Sequence, residues 1–291
     1  VDTTYIWELL VNGVILGSSY ALLAAGLAVI FGVLNVVNFA HGALYMLGAF
    51  VAYFLIPQSG YWAGLLLSAG IMAAVGAALH EGLLRRLPPD GAFSRTLLLT
   101  LGLAMIVQNG AIMLWGAGPR QLPEDARPQG HVALGEVTVP AGRALVVVVA
   151  VVTLGALYLF LSRTQMGRAM RGVSQNPTAA LVVGISPTRI GRLAMALGVG
   201  LAGLAGATLA PVFTVSPQMG ITIVFKVFAI VVIGGLGSVP GAVIVAFAVG
   251  VLESFAGGYG SAMTQSVSVF LFMIVIMLLR PQGLFSKEVR V

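Results

Sequence analysis

From Leu9 to His80 the chain carries no Asp, Glu, Lys or Arg. A helix needs roughly 20 apolar residues to cross the hydrocarbon core of a bilayer, so this run alone holds about three crossings. The rest of the chain is similar. Of its 291 residues, 59% are hydrophobic and 8% charged, with a mean hydropathy of +1.03, whereas soluble domains carry about 25% charged residues. Water cannot solvate that much apolar surface, and the fold class that follows is an all-α polytopic membrane protein. A secretory leader would be one short apolar stretch behind positive charge. Here Asp2 and Glu8 are acidic and the apolar segment continues into others, so no targeting peptide is expected.

Apolar spans are expected at 9–31, 36–56, 61–80, 96–115, 144–162, 192–213, 221–236, 241–257 and 262–279. Turn residues separate them: Pro57-Gln58-Ser59-Gly60, Pro88-Pro89-Asp90-Gly91, and Pro281 after the last span. The two segments flanking Gly234-Gly235-Leu236-Gly237-Ser238 are short for full crossings and read as a possible discontinuous pair. The expectation is a bundle of eight to ten transmembrane helices forming a single domain over 1–291.

Basic residues test this layout, because cytoplasmic loops collect Lys and Arg. One loop holds Arg85, Arg86 and Arg95; a second holds Arg163, Arg168, Arg171, Arg189 and Arg192; the tail holds Arg280, Lys287 and Arg290. Alternating nine spans puts all three on one side, which is then the cytoplasm, with the N-terminus outside and the C-terminus inside. The opposite side has Arg120, Arg127 and Arg143 against Glu124, Asp125 and Glu136. Its loop 117–142, with four prolines, is the sizeable extracytoplasmic segment, and reads either as the contact for a soluble partner there or as a solvated connector. The net charge of +6 is thus spent on membrane orientation, and no nucleic acid is implied. With no cysteine, disulfides, thiolate metal sites and cysteine nucleophiles are excluded, and no metal site is expected.

The cytoplasmic loop at 163–191 has its own local code. Asn176-Pro177 starts a helix, since asparagine caps free N–H groups and proline suits the first helical position. Gly184 is a natural stop. The result is a stub over 177–183, too short to span a membrane and composed of small or apolar residues. So short a helix is unstable alone in water, so it needs something to dock against.

Several stretches carry a family resemblance. Ala179-Ala180 followed by Gly184 is similar to the Ala-Ala-x-x-x-Gly core by which ABC importer permeases engage their ATPases, with Thr178 where a glutamate is usual. More specific are "VVNFAHGALYMLGAFVAY" (36–53), "TLLLTLGLAMIVQNGAIMLWG" (96–116), "GRAMRGVSQNPTAALVVGI" (167–185), "VIGGLGSVPGAVIVAFAVGVLES" (232–254) and "RPQGLF" (280–285). In this order they resemble the LivH-like permease subunits of branched-chain amino acid ABC importers. The resemblance implies a bacterial or archaeal cytoplasmic membrane and four kinds of contact: a second related permease, two ATP-binding subunits, an extracytoplasmic substrate-binding protein and membrane lipid. It also implies a coupling loop containing Arg168, Arg171, Asn176, Pro177, Ala179, Ala180 and Gly184, and signature glycines Gly234, Gly235, Gly237 and Gly241. Relatives serve urea, amides and aromatic acids, so the solute stays open. ATP and Mg²⁺ would bind the partner subunits, because a P-loop needs Gly-Lys-Ser/Thr and the two lysines, Lys226 and Lys287, follow Phe225 and Ser286.

Polar residues inside the membrane are costly and mark function by default. Asn38 and His41 sit between Gly32 and Gly42, where a broken helix would free backbone groups to face a cavity; the alternative is a packed helix start at the cytoplasmic edge. Lys226 and Glu253 lie roughly 7.5 and 6 Å deep by helical rise, on the same side of adjacent segments, placed either to pair or to line an outer vestibule. Gln108 and Asn109 are placed to hydrogen-bond between helices or to touch the solute. Together these six are the candidate translocation path. An ion-coupled secondary transporter is the alternative function. It would want a deep carboxylate, and it leaves the cytoplasmic stub without a purpose. An intramembrane enzyme lacks any pairing of nucleophile and base.

Overall fold

Helix follows helix through the computed structural model, which describes residues 3–86, 92–135 and 137–285. They are α1 (Thr3–Leu34), α2 (His41–Ser59), α3 (Tyr61–Gly82), α4 (Ala92–Trp115), α5 (Ala141–Arg163), α6 (Gln165–Gln175), α7 (Pro177–Val182), α8 (Pro187–Leu209), α9 (Met219–Gly234), α10 (Val239–Tyr259) and α11 (Ala262–Leu279). Among the described residues eight helices are long and apolar enough to cross a membrane, and α9 is a shorter apolar helix. The expected turn at 88–91, the tail residues Lys287 and Arg290, and Asp2 and Glu136 lie outside the described residues.

The bundle is built around α1, which is buried along most of its length, while α4 and α11 bury almost none of theirs. Lipid is as apolar as leucine, so helices associate in a membrane through close packing and small residues rather than through hydrophobicity. α8 shows the result. A Cβ placed on Gly203 would meet Met72 of α3 at 2.5 Å, and one on Gly206 would meet the Tyr45 carbonyl of α2 at 2.2 Å. At Gly206 backbone touches backbone, and α8 is wedged between α1, α2 and α3. The outer helices present Leu98, Met105, Ile106, Met113, Leu278 and Leu279 outward, as a lipid-facing surface requires.

Two expectations need correction, and two further elements were not foreseen. The second span starts at His41, not near 36, because 35–40 is not helical. Pro57 lies inside the last turn of α2, and Gly60, at φ 83°, alone makes the turn into α3. Loop 117–142 contains a hairpin, β1 (His131–Leu134) against β2 (Val137–Pro140), with His131 opposite Pro140. The stretch before Asn176 is the amphipathic helix α6: Thr164 caps it by accepting from the Gly167 N–H at 3.0 Å, and Gly167, Met170 and Val173 are its buried stripe.

Candidate translocation site and coupling loop

The first turns of α2 and α9 meet within the bundle. α1 ends at Leu34; Asn35 takes φ 52°, and 35–38 run without helical structure. The chain then re-enters: the Nε2 N–H of His41 donates to the Leu23 carbonyl at 3.0 Å. Leu23 lies eleven residues before Leu34, so α2 starts about 16 Å back along α1. This places His41 beside the middle of α1, away from that helix's C-terminal end. Asn38 and His41 are both buried, at 3% and 1% exposure. The Asn38 side chain accepts from the Ala40 N–H at 3.1 Å, and His41 Nδ1 is buried without a hydrogen-bond partner.

Irregular backbone at membrane depth survives only where protein covers it or where it lines a cavity, with neighbouring Ser or Thr replacing the lost helical bonds. Thr100 of α4 does this: its hydroxyl oxygen accepts the Phe39 N–H at 3.2 Å. The sequence reading missed Thr100, although a hydroxyl in an apolar span was the available signal. On the other side of the break, the N-terminus of α9 abuts that of α2. A Cβ on Gly42 would lie 2.2 Å from the Gly220 carbonyl oxygen, and one on Gly220 would lie 2.5 Å from that of Gly42. Neither helix has a side-chain cap on its first N–H groups. Beside this junction is a cavity of about 90 Å³ lined by Phe39 and Ala43, by Met105 and Gln108 of α4, and by Gly220 and Phe225 of α9. Among the described lining residues Gln108 has the one polar side chain. Asn109 does not join it: it is exposed, and its amide donates to the Met105 carbonyl of its own helix at 2.8 Å.

Lys226 and Glu253 are brought together as an ion pair between α9 and α10. Glu253 is 1% exposed and the lysine side chain 12%, so the pair is buried. The Tyr20 hydroxyl of α1 donates to the second carboxylate oxygen at 2.8 Å, which makes a three-helix network. Tyr20 carried no signal in the sequence, since a tyrosine in an apolar helix is unremarkable. At the far end of α9, Gly234 and Gly241 touch through backbone, and Gly235 and Gly237 hold φ 93° and 83°. Those conformations make the tight turn that returns the chain into α10.

In the loop between α5 and α8, α7 has both ends closed. Asn176 Oδ1 accepts the Ala179 N–H at 2.9 Å. Past the helix, the Ile185 N–H donates to the Ala180 carbonyl at 2.9 Å and the Gly184 N–H to the Leu181 carbonyl at 3.0 Å, with Gly184 at φ 81°. This is the Schellman arrangement, which needs a left-handed residue. Ala180 is buried beneath the stub, and Leu181, Val182 and Val183 are 58%, 84% and 72% exposed. Arg168 is exposed on α6; Arg171, also exposed, donates to the Leu161 carbonyl of α5. The geometry is a rigid, uncharged knob beside exposed cationic positions.

Comparison with known proteins gives one consistent result. The family described as "Branched-chain amino acid transport system / permease component" matches residues 9–279. The high-affinity branched-chain amino acid transport system permease protein LivH of Escherichia coli is 29% identical over 296 residues, covering 97% of this chain and 96% of that protein. BraD of Pseudomonas aeruginosa, a permease protein of the same description, is 28% identical over 294 residues, with 96% and 95% covered. LivM of Salmonella typhimurium, a further permease protein of such a system, is 28% identical over 297 residues, covering 91% of this chain and 67% of that protein.

Proposed function

We propose, from the premise that this chain belongs to the family of branched-chain amino acid transport system permease components, that it carries leucine, isoleucine and valine inward through an ABC importer. The observation that carries the reading is the match over 9–279, joined by relatives that align end to end. The chain is the permease. ATP and Mg²⁺ bind in two separate subunits, and their closure moves α7. A second permease, related as LivM-type sequences are related to this one, completes the path, and a substrate-binding protein delivers the solute at the hairpin side. Alternating access then opens the α2–α9 junction to each face in turn. The N-terminus lies outside and the C-terminus in the cytoplasm of the inner membrane.

Two features support this over ion coupling. The deep carboxylate, Glu253, is already engaged by Lys226 and Tyr20, which leaves it poorly placed to take up a coupling ion. The capped α7 knob gains a purpose only with a cytoplasmic partner. The test is purification from native membranes in mild detergent, followed by reconstitution of what co-purifies. Two ATP-binding subunits, a second permease and ATP-dependent leucine uptake are expected. A chain that emerges alone even after cross-linking, with uptake that collapses with the ion gradient, would overturn the reading.

A further inference from the structure

The cytoplasmic end of α3 carries a side-chain cluster that no step above uses. His80 is 4% exposed and points at α8: a Cβ on Gly191 would come within 2.7 Å of its Nε2 and 2.6 Å of Leu34 Cδ2. Gly191 is therefore the seat into which the ends of α1 and α3 fit. One residue on, Glu81 accepts from Arg85 Nη1 at 2.8 Å and pairs through its other oxygen with Arg192 of α8 at 3.3 Å. A half-exposed pair of this kind adds little to stability. Its place in the chain gives it another use.

α8 is the helix that leaves the coupling knob. Only residues 183–186 separate α7 from Pro187, and they are tied down: Gly184 and Ile185 donate back into α7, while Ser186 caps α8 by accepting the Arg189 N–H at 3.5 Å. Displacement of α7 thus reaches α8 with little slack. At its other end α8 touches α2 backbone to backbone, through Gly203 on Gly48 and Gly206 on Tyr45. α2 in turn forms one wall of the α2–α9 cavity. The clamp on α3 sits between the knob and that wall.

We infer that His80 and Glu81 are positioning residues that hold the cytoplasmic end of α8 on α3, so that displacement of α7 is delivered to α2 as movement of one rigid helix. Packing of His80 on Gly191 sets the pivot, and the Glu81–Arg192 ion pair keeps α8 from rotating about it. The inference rests on the proposed importer function for its direction of use, and its geometry is independent of the solute.

The experiment uses the whole complex in proteoliposomes and reads ATP hydrolysed per leucine imported, with thermal midpoint as a control. Glu81→Gln and Arg192→Gln should each raise that ratio about fivefold or more, the low end of ordinary coupling energies, with the midpoint unchanged. Arg85→Gln, which removes only the partner in the turn just past α3, should leave the ratio at the wild-type value. A wild-type ratio in Glu81→Gln would overturn the inference, as would a parallel fall of uptake, hydrolysis and midpoint. If the wild-type complex hydrolyses ATP without importing leucine, the proposed function fails separately. The inference is then decided by spin labels at Val182→Cys and Phe54→Cys: an ATP-driven distance change kept in Glu81→Gln overturns it, and one abolished there supports it.

Discussion

Lys226 sits in an apolar helix because Glu253 neutralises it and Tyr20 supplies the remaining hydrogen bond. Removing one member of a buried pair costs more than removing both, since the survivor keeps its desolvation penalty without its partner. Lys226→Met should therefore destabilise the purified protein by about 3–5 kcal/mol, and the double variant Lys226→Met with Glu253→Gln should recover most of that. Tyr20→Phe should cost less, about 1.5–3 kcal/mol for a hydrogen bond to a charged group. Thermal unfolding in detergent checks all three, and a double variant worse than the single one would contradict the pairing. The pair itself was legible in the sequence, because depth along two adjacent helices is simple counting. Tyr20 was not, because its contact comes from α1, far away in the chain.

At the scale of elements, α7 is a helix made by its ends. Asparagine, proline and glycine occupy positions where local backbone chemistry decides the outcome, so the stub could be read without any knowledge of the bundle. Proline is confined to φ near −65°, while Gly184 holds φ 81°. Gly184→Pro should break the closure of α7 and leave the membrane helices intact. The expected result is a monodisperse permease that retains its ATP-binding subunits on the order of tenfold less well, a loss of about 1.4 kcal/mol. Undiminished co-purification would show that α7 is not the docking knob. α6, by contrast, was passed over: its arginines read only as the mark of a cytoplasmic loop, although Met170 and Val173 already lay at helical spacing.

For the whole molecule, the distribution of Arg between loops predicts orientation, and a chain with no cysteine is a clean background for testing it. Ala133→Cys, exposed on the hairpin, should react with a membrane-impermeant maleimide added to intact cells. Val182→Cys, 84% exposed on α7, should react only after the membrane is opened. The reverse pattern would invert the topology and place the knob where no ATPase can reach it. The bundle leaves α4 and α11 largely unburied, with the apolar faces that a lipid-exposed helix carries.

The sequence by itself determined the membrane class, the number of crossings within narrow limits, the family and the capped stub, because each depends on composition or on neighbours within a few residues. The tertiary structure decided where the chain goes at 35–40. Glycines and an asparagine announce a break, but nothing local says that α2 restarts about 16 Å back along α1, against Leu23 and beside Thr100. That position is set by the close approach of Gly42 to Gly220 and by which helix can satisfy the freed backbone groups. Both are contacts between segments distant in sequence. They exist only once α1, α2, α4 and α9 have packed, which is why the cavity beside them was beyond a linear reading.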